Sequence, residues 1–128
     1  MFEKKIRVQL CDLDELEHVN NVKYVGWVQD IALEHWNEKA PLEMRKAWVW
    51  VMTKHCIEYR KASFLGNNIS IKTYLKSSNG AIATRIVAFY NENDTKASVT
   101  STTSWCLLDA STFKPKRIPE NVSAVFMK

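Results

Sequence analysis

The chain has 128 residues, the length of one domain, and its 46 % hydrophobic and 25 % charged content excludes a disordered or low-complexity polymer. A formal charge of +4, dispersed along the sequence, suits an anionic small ligand and gives little support to a nucleic-acid partner. No stretch approaches the ~18 consecutive apolar residues of a membrane span, and "MFEKKIRVQL" lacks the apolar run and small-residue cleavage site of a secretory signal.

The opening stretch "KKIRVQLCD" predicts a strand, with Ile6, Val8 and Leu10 on one face, that ends where the alternation breaks at Asp12. From Asn21 to about Asn37 the period becomes helical. Val22, Tyr24, Val25, Trp27, Val28, Ile31, Ala32, Leu33 and Trp36 cover most of the circumference, leaving a thin polar strip at Lys23, Gln29, Asp30, Glu34 and Asn37. The rest of the fold or a partner must cover such a helix. Asn20 or Asn21 supplies its N-terminal cap, and Pro41 bars continuation past the following loop.

Residues 47–60, "AWVWVMTKHCIEYR", predict a strand long enough to bend or bulge midway, and 68–75, "NISIKTYL", predict another with Ile69, Ile71, Thr73 and Leu75 on one face. Two further strands, "AIATRIVAFYN" and "ASVTSTTSWCLLD", flank a hairpin loop at "ENDTK". Asn79-Gly80 predicts a tight turn with positive φ at both central positions. Strand, long helix and four strands contain no repeated βαβ unit, which argues against a doubly wound sheet. The expectation is an α+β fold in one domain over residues 1–128, an antiparallel sheet curled around one long central helix. Its open sheet edges favour pairing with a second copy.

Cys11, Cys56 and Cys106 are odd in number and far apart, which fits neither a disulfide framework nor a zinc motif and suits a reducing cytoplasm. His18, His35 and His55 form no H-E-x-x-H pattern, and Gly26, Gly66 and Gly80 form no glycine-rich loop, so neither a metal nor another cofactor is expected. Trp27, Trp36, Trp48, Trp50 and Trp105 lie in apolar settings that suit core or subunit packing better than base stacking.

The most concentrated polar run is "DLDELEHVNNVKY", residues 12–24. By residue type alone Asp14 is a loop or Asx-turn residue and the asparagines are helix caps. The longer stretch "CDLDELEHVNNVKYVGWVQDIALEHW", however, resembles the hotdog-fold thioesterases of the 4-hydroxybenzoyl-CoA and acyl-CoA type, with their pattern D-x-D-x-x-G-H-V-N-N-x-x-Y before an apolar helix. Asp12, Asp14, His18, Val19, Asn20, Asn21 and Tyr24 match it. "IEYRKASFLGNNISI" and "LLDASTFKPKRIPENV" are similar to the family's later segments. Glu17 stands in place of the family's glycine, where it fits if φ is negative, and Lys61 in place of a proline.

Thioester hydrolysis needs a group that attacks the carbonyl or delivers water to it, and donors that stabilise the oxyanion. The resemblance implies Asp14 as nucleophile or general base and a backbone N–H at Asn21 as the polarising donor. Asp12 is assigned to holding the loop. The resemblance brings His18 and Tyr24 toward the substrate and the region of Glu58 and Tyr59 toward the neighbouring subunit's active site, although a turn role for His18, core packing for Tyr24 and a surface role for the strand pair also explain them. Lys114, Lys116 and Arg117 form a basic cluster for CoA phosphates or a solvated turn. The implied protein is a homodimeric or homotetrameric acyl-CoA thioesterase of the cytoplasm, without nucleic-acid or membrane partners. An acyl-carrier-protein thioesterase and a non-catalytic acyl-ligand binding or structural module remain as alternatives.

Overall fold

In the computed structural model, which describes residues 1–127, the chain forms β1 (Phe2–Arg7), α1 (Asn21–Lys39), α2 (Leu42–Ala47), β2 (Trp48–Tyr59), β3 (Asn68–Asn79), β4 (Ile82–Asn91), β5 (Val99–Asp109) and α3 (Glu120–Ala124). Short 3₁₀ turns occupy Leu10–Asp12 and Val125–Met127. The five strands make one antiparallel sheet in the order β1-β3-β4-β5-β2, with α1 packed on it, which is the expected hotdog arrangement. β1 and β2 are its edges. The predicted bulge in β2 is a register shift between Met52 and Lys54.

α1 begins where Asn20, in extended conformation, accepts the Val22 N–H on its side-chain oxygen at 2.9 Å, and it ends at Ala40, before Pro41. Its buried residues are Tyr24, Val28, Ile31, Ala32, His35 and Trp36, spaced three and four apart along the sheet-facing side. Val22 and Leu33 stand exposed on the outer side of the isolated chain. The core divides along this helix. Tyr24, Val28 and Ile31 pack with Ile69, Ile71, Val87 and Phe89, whereas Trp36 and Ala40 pack with Leu75, Leu107, Val122, Val125 and Phe126.

Several details differ from the sequence expectation. β1 stops at Arg7, and Leu10 is exposed, because the chain bends into a 3₁₀ turn where the Asp12 carboxylate accepts the Gln9 N–H at 2.8 Å. The β3–β4 turn is centred on Gly80 and Ala81, since Asn79 pairs with Ile82 as the last ladder step. Only Gly80 has positive φ, +62°, the pattern of a II′ turn. α2 is an additional helix, and the proline-containing tail folds into α3 and its 3₁₀ extension, which insert Val122, Val125 and Phe126 into the core. No helix among the described residues is long and apolar enough to cross a membrane.

Candidate active site

The turn that precedes α1 is built by hydrogen bonds local in sequence. The Asp14 N–H donates to the His18 carbonyl at 2.8 Å and the Glu17 N–H to the Asp14 carbonyl at 3.0 Å. Oδ1 of Asp14 accepts the Leu16 N–H at 2.9 Å and the His18 N–H at 3.3 Å. Asp14 is therefore an Asx-type turn residue, with Oδ2 left free of protein donors among the described residues. Asp12 holds the neighbouring segment, accepting Gln9 N–H and lying 3.5 Å from the Lys23 ammonium, while its carbonyl accepts the Asn20 N–H at 2.9 Å.

Glu17 has φ +63°, so the position at which the family pattern has glycine is left-handed in this chain and carries a side chain all the same. The expectation of negative φ does not hold. Three residues later in the turn-to-helix passage, Asn20 uses its side chain on Val22, and the Asn21 N–H, at the first helical position, donates to no protein group among the described residues.

A cleft of about 450 Å³ opens over this turn, and Asp14, His18, Asn21, Tyr24 and Tyr59 all line it. The Tyr59 hydroxyl donates to the Asn21 carbonyl at 3.3 Å, tying the end of β2 to the start of α1. His18 packs edge-on against Phe64, with ring centroids 5.1 Å apart. Tyr24 is 2 % exposed, its ring edge-on to Trp27, Tyr59 and Phe89. Its hydroxyl faces Ser63 but falls short of hydrogen-bond geometry, and burial raises its pKa. The Tyr59 phenol is raised for the same reason.

Not every candidate reaches this cleft. Glu58 is exposed and turned to Arg60, 3.5 Å away. Lys114, Lys116 and Arg117 are exposed on the segment after β5, where the Lys116 N–H donates to the Leu107 carbonyl. β5 pairs Asp109 with Trp48 and Val99 with Tyr59, so that tail and the Asp14 cleft lie at opposite ends of β2, about 36 Å apart along the strand. The cations that do line the cleft are Arg60 and Lys61, which directly follow Glu58-Tyr59 and are not among the residues expected to meet phosphate. Arg60 Nη1 donates to Thr100 Oγ1 at 2.6 Å, and Lys61 Nζ pairs with Asp94 at 2.9 Å. Among the described residues no three His, Cys, Asp or Glu side chains are grouped to hold a metal ion.

Comparison with known proteins adds to this geometry. The family profile described as the acyl-ACP thioesterase N-terminal domain matches residues 1–126. No curated protein sequence matches the chain. Among solved structures, YbaW, a probable thioesterase from Escherichia coli, superposes with a TM-score of 0.88 at 17 % identity, covering 98 % of this chain and 96 % of that one. A hypothetical protein from Aquifex aeolicus gives 0.84 at 20 % identity, with 98 % and 99 % coverage. The Staphylococcus aureus protein SAV2348, solved in complex with CoA, gives 0.84 at 16 % identity, with 98 % and 81 % coverage. These likenesses establish the shared fold.

Proposed function

The chain belongs to the family of acyl-ACP thioesterase N-terminal domains, and from that premise we propose that it hydrolyses an acyl thioester, of CoA in the first reading, to a carboxylic acid and a free thiol. One observation carries the proposal: the free Oδ2 of Asp14 and the unpartnered N–H of Asn21 line the same cleft at the N-terminus of α1. An N–H at the positive end of a helix stabilises the negative charge that grows on the thioester oxygen. Asp14 either attacks the carbonyl carbon, expelling thiolate and leaving an anhydride for water to cleave, or takes a proton from the attacking water and returns it to the thiolate. Its two backbone donors fix the carboxylate in place. His18, Tyr24 and Tyr59 shape the cleft around the acyl carbonyl, and Arg60 and Lys61 offer positive charge at its rim.

The family match favours a second reading, in which the acyl group arrives on acyl carrier protein. Both carriers present the thioester on a phosphopantetheine arm, so one cleft geometry serves either. We propose further that the molecule is a homodimer or homotetramer, which the open edge of β2 and the exposed Val22 and Leu33 support.

A panel of CoA, acyl-carrier-protein and truncated pantetheine thioesters, followed by free-thiol release, tests the reading. Time-dependent release above background supports hydrolysis and identifies the carrier. Saturable binding without release on every substrate rejects it in favour of a non-catalytic binding module. On CoA thioesters, neutralising Arg60 and Lys61 should lower kcat/KM while sparing the pantetheine substrate. The same comparison on Lys114, Lys116 and Arg117 decides whether the distant tail contributes.

A further inference from the structure

The sheet face turned away from α1 carries a basic groove where β1, β3 and β4 run side by side. Alternation puts Ile6, Ile69, Ile71 and Phe89 against the core and turns Lys5, Arg7, Ser70, Lys72 and Tyr90 outward. The register sets Arg7 opposite Asn68, Lys5 opposite Ser70 and Ser70 opposite Tyr90, with Lys72 diagonal to Lys5. Neighbours of this kind stand about 5–8 Å apart. A cavity of about 790 Å³ opens over them, bounded on its far side by the loop between β4 and β5.

Among the described residues no carboxylate comes within 4.0 Å of Lys5, Arg7 or Lys72, and even Glu3, opposite Lys72 in register, closes no ion pair with it. The two carboxylates of the groove are engaged elsewhere: Glu92 accepts from Asn68 Nδ2 at 3.0 Å, and Asp94 pairs with Lys61 Nζ at 2.9 Å. Three like charges on neighbouring strand positions repel one another, so an anion of more than one charge relieves what the protein leaves uncompensated. Lys72 Nζ lies 5.0 Å from the centroid of the Tyr90 ring. A cation held by a ring face gains more from a charge-assisted hydrogen bond to phosphate, and its move uncovers the ring for a flat base.

The groove adjoins the Asp14 cleft without sharing a lining residue: Lys61 lines the cleft, and Asp94, its partner in the ion pair, lines the groove. The volume is in the range of small-molecule sites. We propose that the groove binds a nucleoside diphosphate, with the phosphates on Lys5, Arg7 and Lys72 and the base on Tyr90. A monocarboxylate would leave two of the three cations unmatched, and inorganic phosphate would leave the ring unused. A free nucleotide and the nucleotide end of CoA bring this same chemistry. The second source rests on the proposed hydrolysis, in which one ligand runs from the groove past Lys61 to Asp14, whereas the site itself does not depend on it.

Calorimetric titration of the full chain with ADP, adenosine, inorganic pyrophosphate, CoA, a hexaglutamate peptide and a single-stranded oligonucleotide tests it. ADP should bind saturably, adenosine and pyrophosphate each about tenfold more weakly, and added salt should weaken ADP while leaving adenosine unchanged. The double variant Lys5→Gln with Lys72→Gln should weaken ADP about tenfold and spare adenosine, and Tyr90→Leu should weaken ADP by a smaller factor and spare pyrophosphate. The comparison of ligands on the unaltered protein needs no variant to fold. No ADP binding at millimolar concentration, adenosine or pyrophosphate as tight as ADP, or hexaglutamate or the oligonucleotide tighter than ADP overturns the proposal. So does loss of ADP binding in Arg60→Ala but not in the double lysine variant, which would move the phosphates to the Asp14 cleft. An equal loss on ADP and CoA in the double variant, with CoA the tighter ligand, supports the site and assigns it to the CoA nucleotide; a loss on ADP alone supports it and assigns it to a free nucleotide. Thiol release from thioesters bears on the hydrolysis reading alone.

Discussion

The two ends of α1 treat charge in opposite ways. Before its first turn, the Asp14 carboxylate is half-buried, held by two backbone N–H groups and open to a cleft on its remaining oxygen. Beyond its middle, the Arg85 guanidinium is enclosed by aromatic rings, held by one imidazole and one hydroxyl, and lacks a carboxylate partner among the described residues. Backbone donors cost no side-chain entropy and leave the second oxygen open to the cleft, an arrangement suited to a group that must act and reset. On the proposed reading the chemistry lies at the Asp14 end, while the Arg85 end is set apart by its dry, uncompensated charge, and each side of the contrast can be broken separately.

The largest effect should come from Asp14→Asn. The amide oxygen can still accept the Leu16 and His18 N–H groups, so the turn persists, but neither attack nor proton removal is open to a neutral amide. We expect kcat on the best thioester to fall ~10²- to 10⁴-fold with little change in melting temperature. Unchanged turnover in a folded Asp14→Asn protein removes Asp14 from the chemistry and dissolves the contrast between the ends.

His35 provides the next test, on the Arg85 side. Burial first, and then the positive charge of Arg85, lower its pKa from 6.5 to about 4. The unfolded chain takes up a proton that the folded protein refuses, so stability is full above about pH 6.5 and is lost as pH falls toward about 4. Between pH 7 and pH 5 this linkage amounts to about 2 kcal/mol. His35→Asn keeps an acceptor for Arg85 without the titration. Urea unfolding of both proteins at the two pH values should show that much less acid sensitivity in the variant. Equal slopes mean that the imidazole is not held neutral, and the dry, uncompensated character of this end is then wrong.

Legibility in the sequence follows the same division. The Asp14 turn, the Asn20 cap and the start of α1 are contiguous, so residue types and spacing announce them, as the alternation of Ile69, Ile71, Thr73 and Leu75 announces β3. His35, Thr73 and Arg85 come from α1, β3 and β4, and nothing local tells that they meet. Thr73 was legible as an inward strand position but not as an acceptor for an arginine on the next strand, and His35 was hidden in an apolar helix face. The basic residues are hard to place from sequence for a similar reason. Lys114, Lys116 and Arg117 are the denser cluster in sequence, but the antiparallel pairing of β2 with β5 brings Arg60 and Lys61 to the Asp14 cleft instead. The tail helix α3 was missed because a five-residue helix whose packing partners lie elsewhere in the chain leaves no periodic signal.

The smallest expected effect concerns Glu17 and asks whether the chemistry end carries strain that the other end does not. Its φ of +63° lies in the left-handed region, which a side chain beyond glycine occupies at a cost of roughly 1–2 kcal/mol. The turn fixes this conformation, since the Glu17 N–H is bound to the Asp14 carbonyl and the Leu16 and His18 N–H groups on either side are bound to the Asp14 carboxylate. Glu17→Gly should relieve the strain but give back some of it as added freedom in the unfolded chain, for a net gain of about 0.5–1 kcal/mol and a rise of a few degrees in melting temperature. Glu17→Ala removes the carboxylate and keeps the backbone penalty. A gain in the glycine variant alone locates the effect in the backbone, whereas equal gains in both locate it in the repulsion between Glu17 and nearby carboxylates such as Asp14. If thioester turnover falls in Glu17→Gly while stability rises, the strained turn is also what holds the Asp14 carboxylate toward the Asn21 N–H.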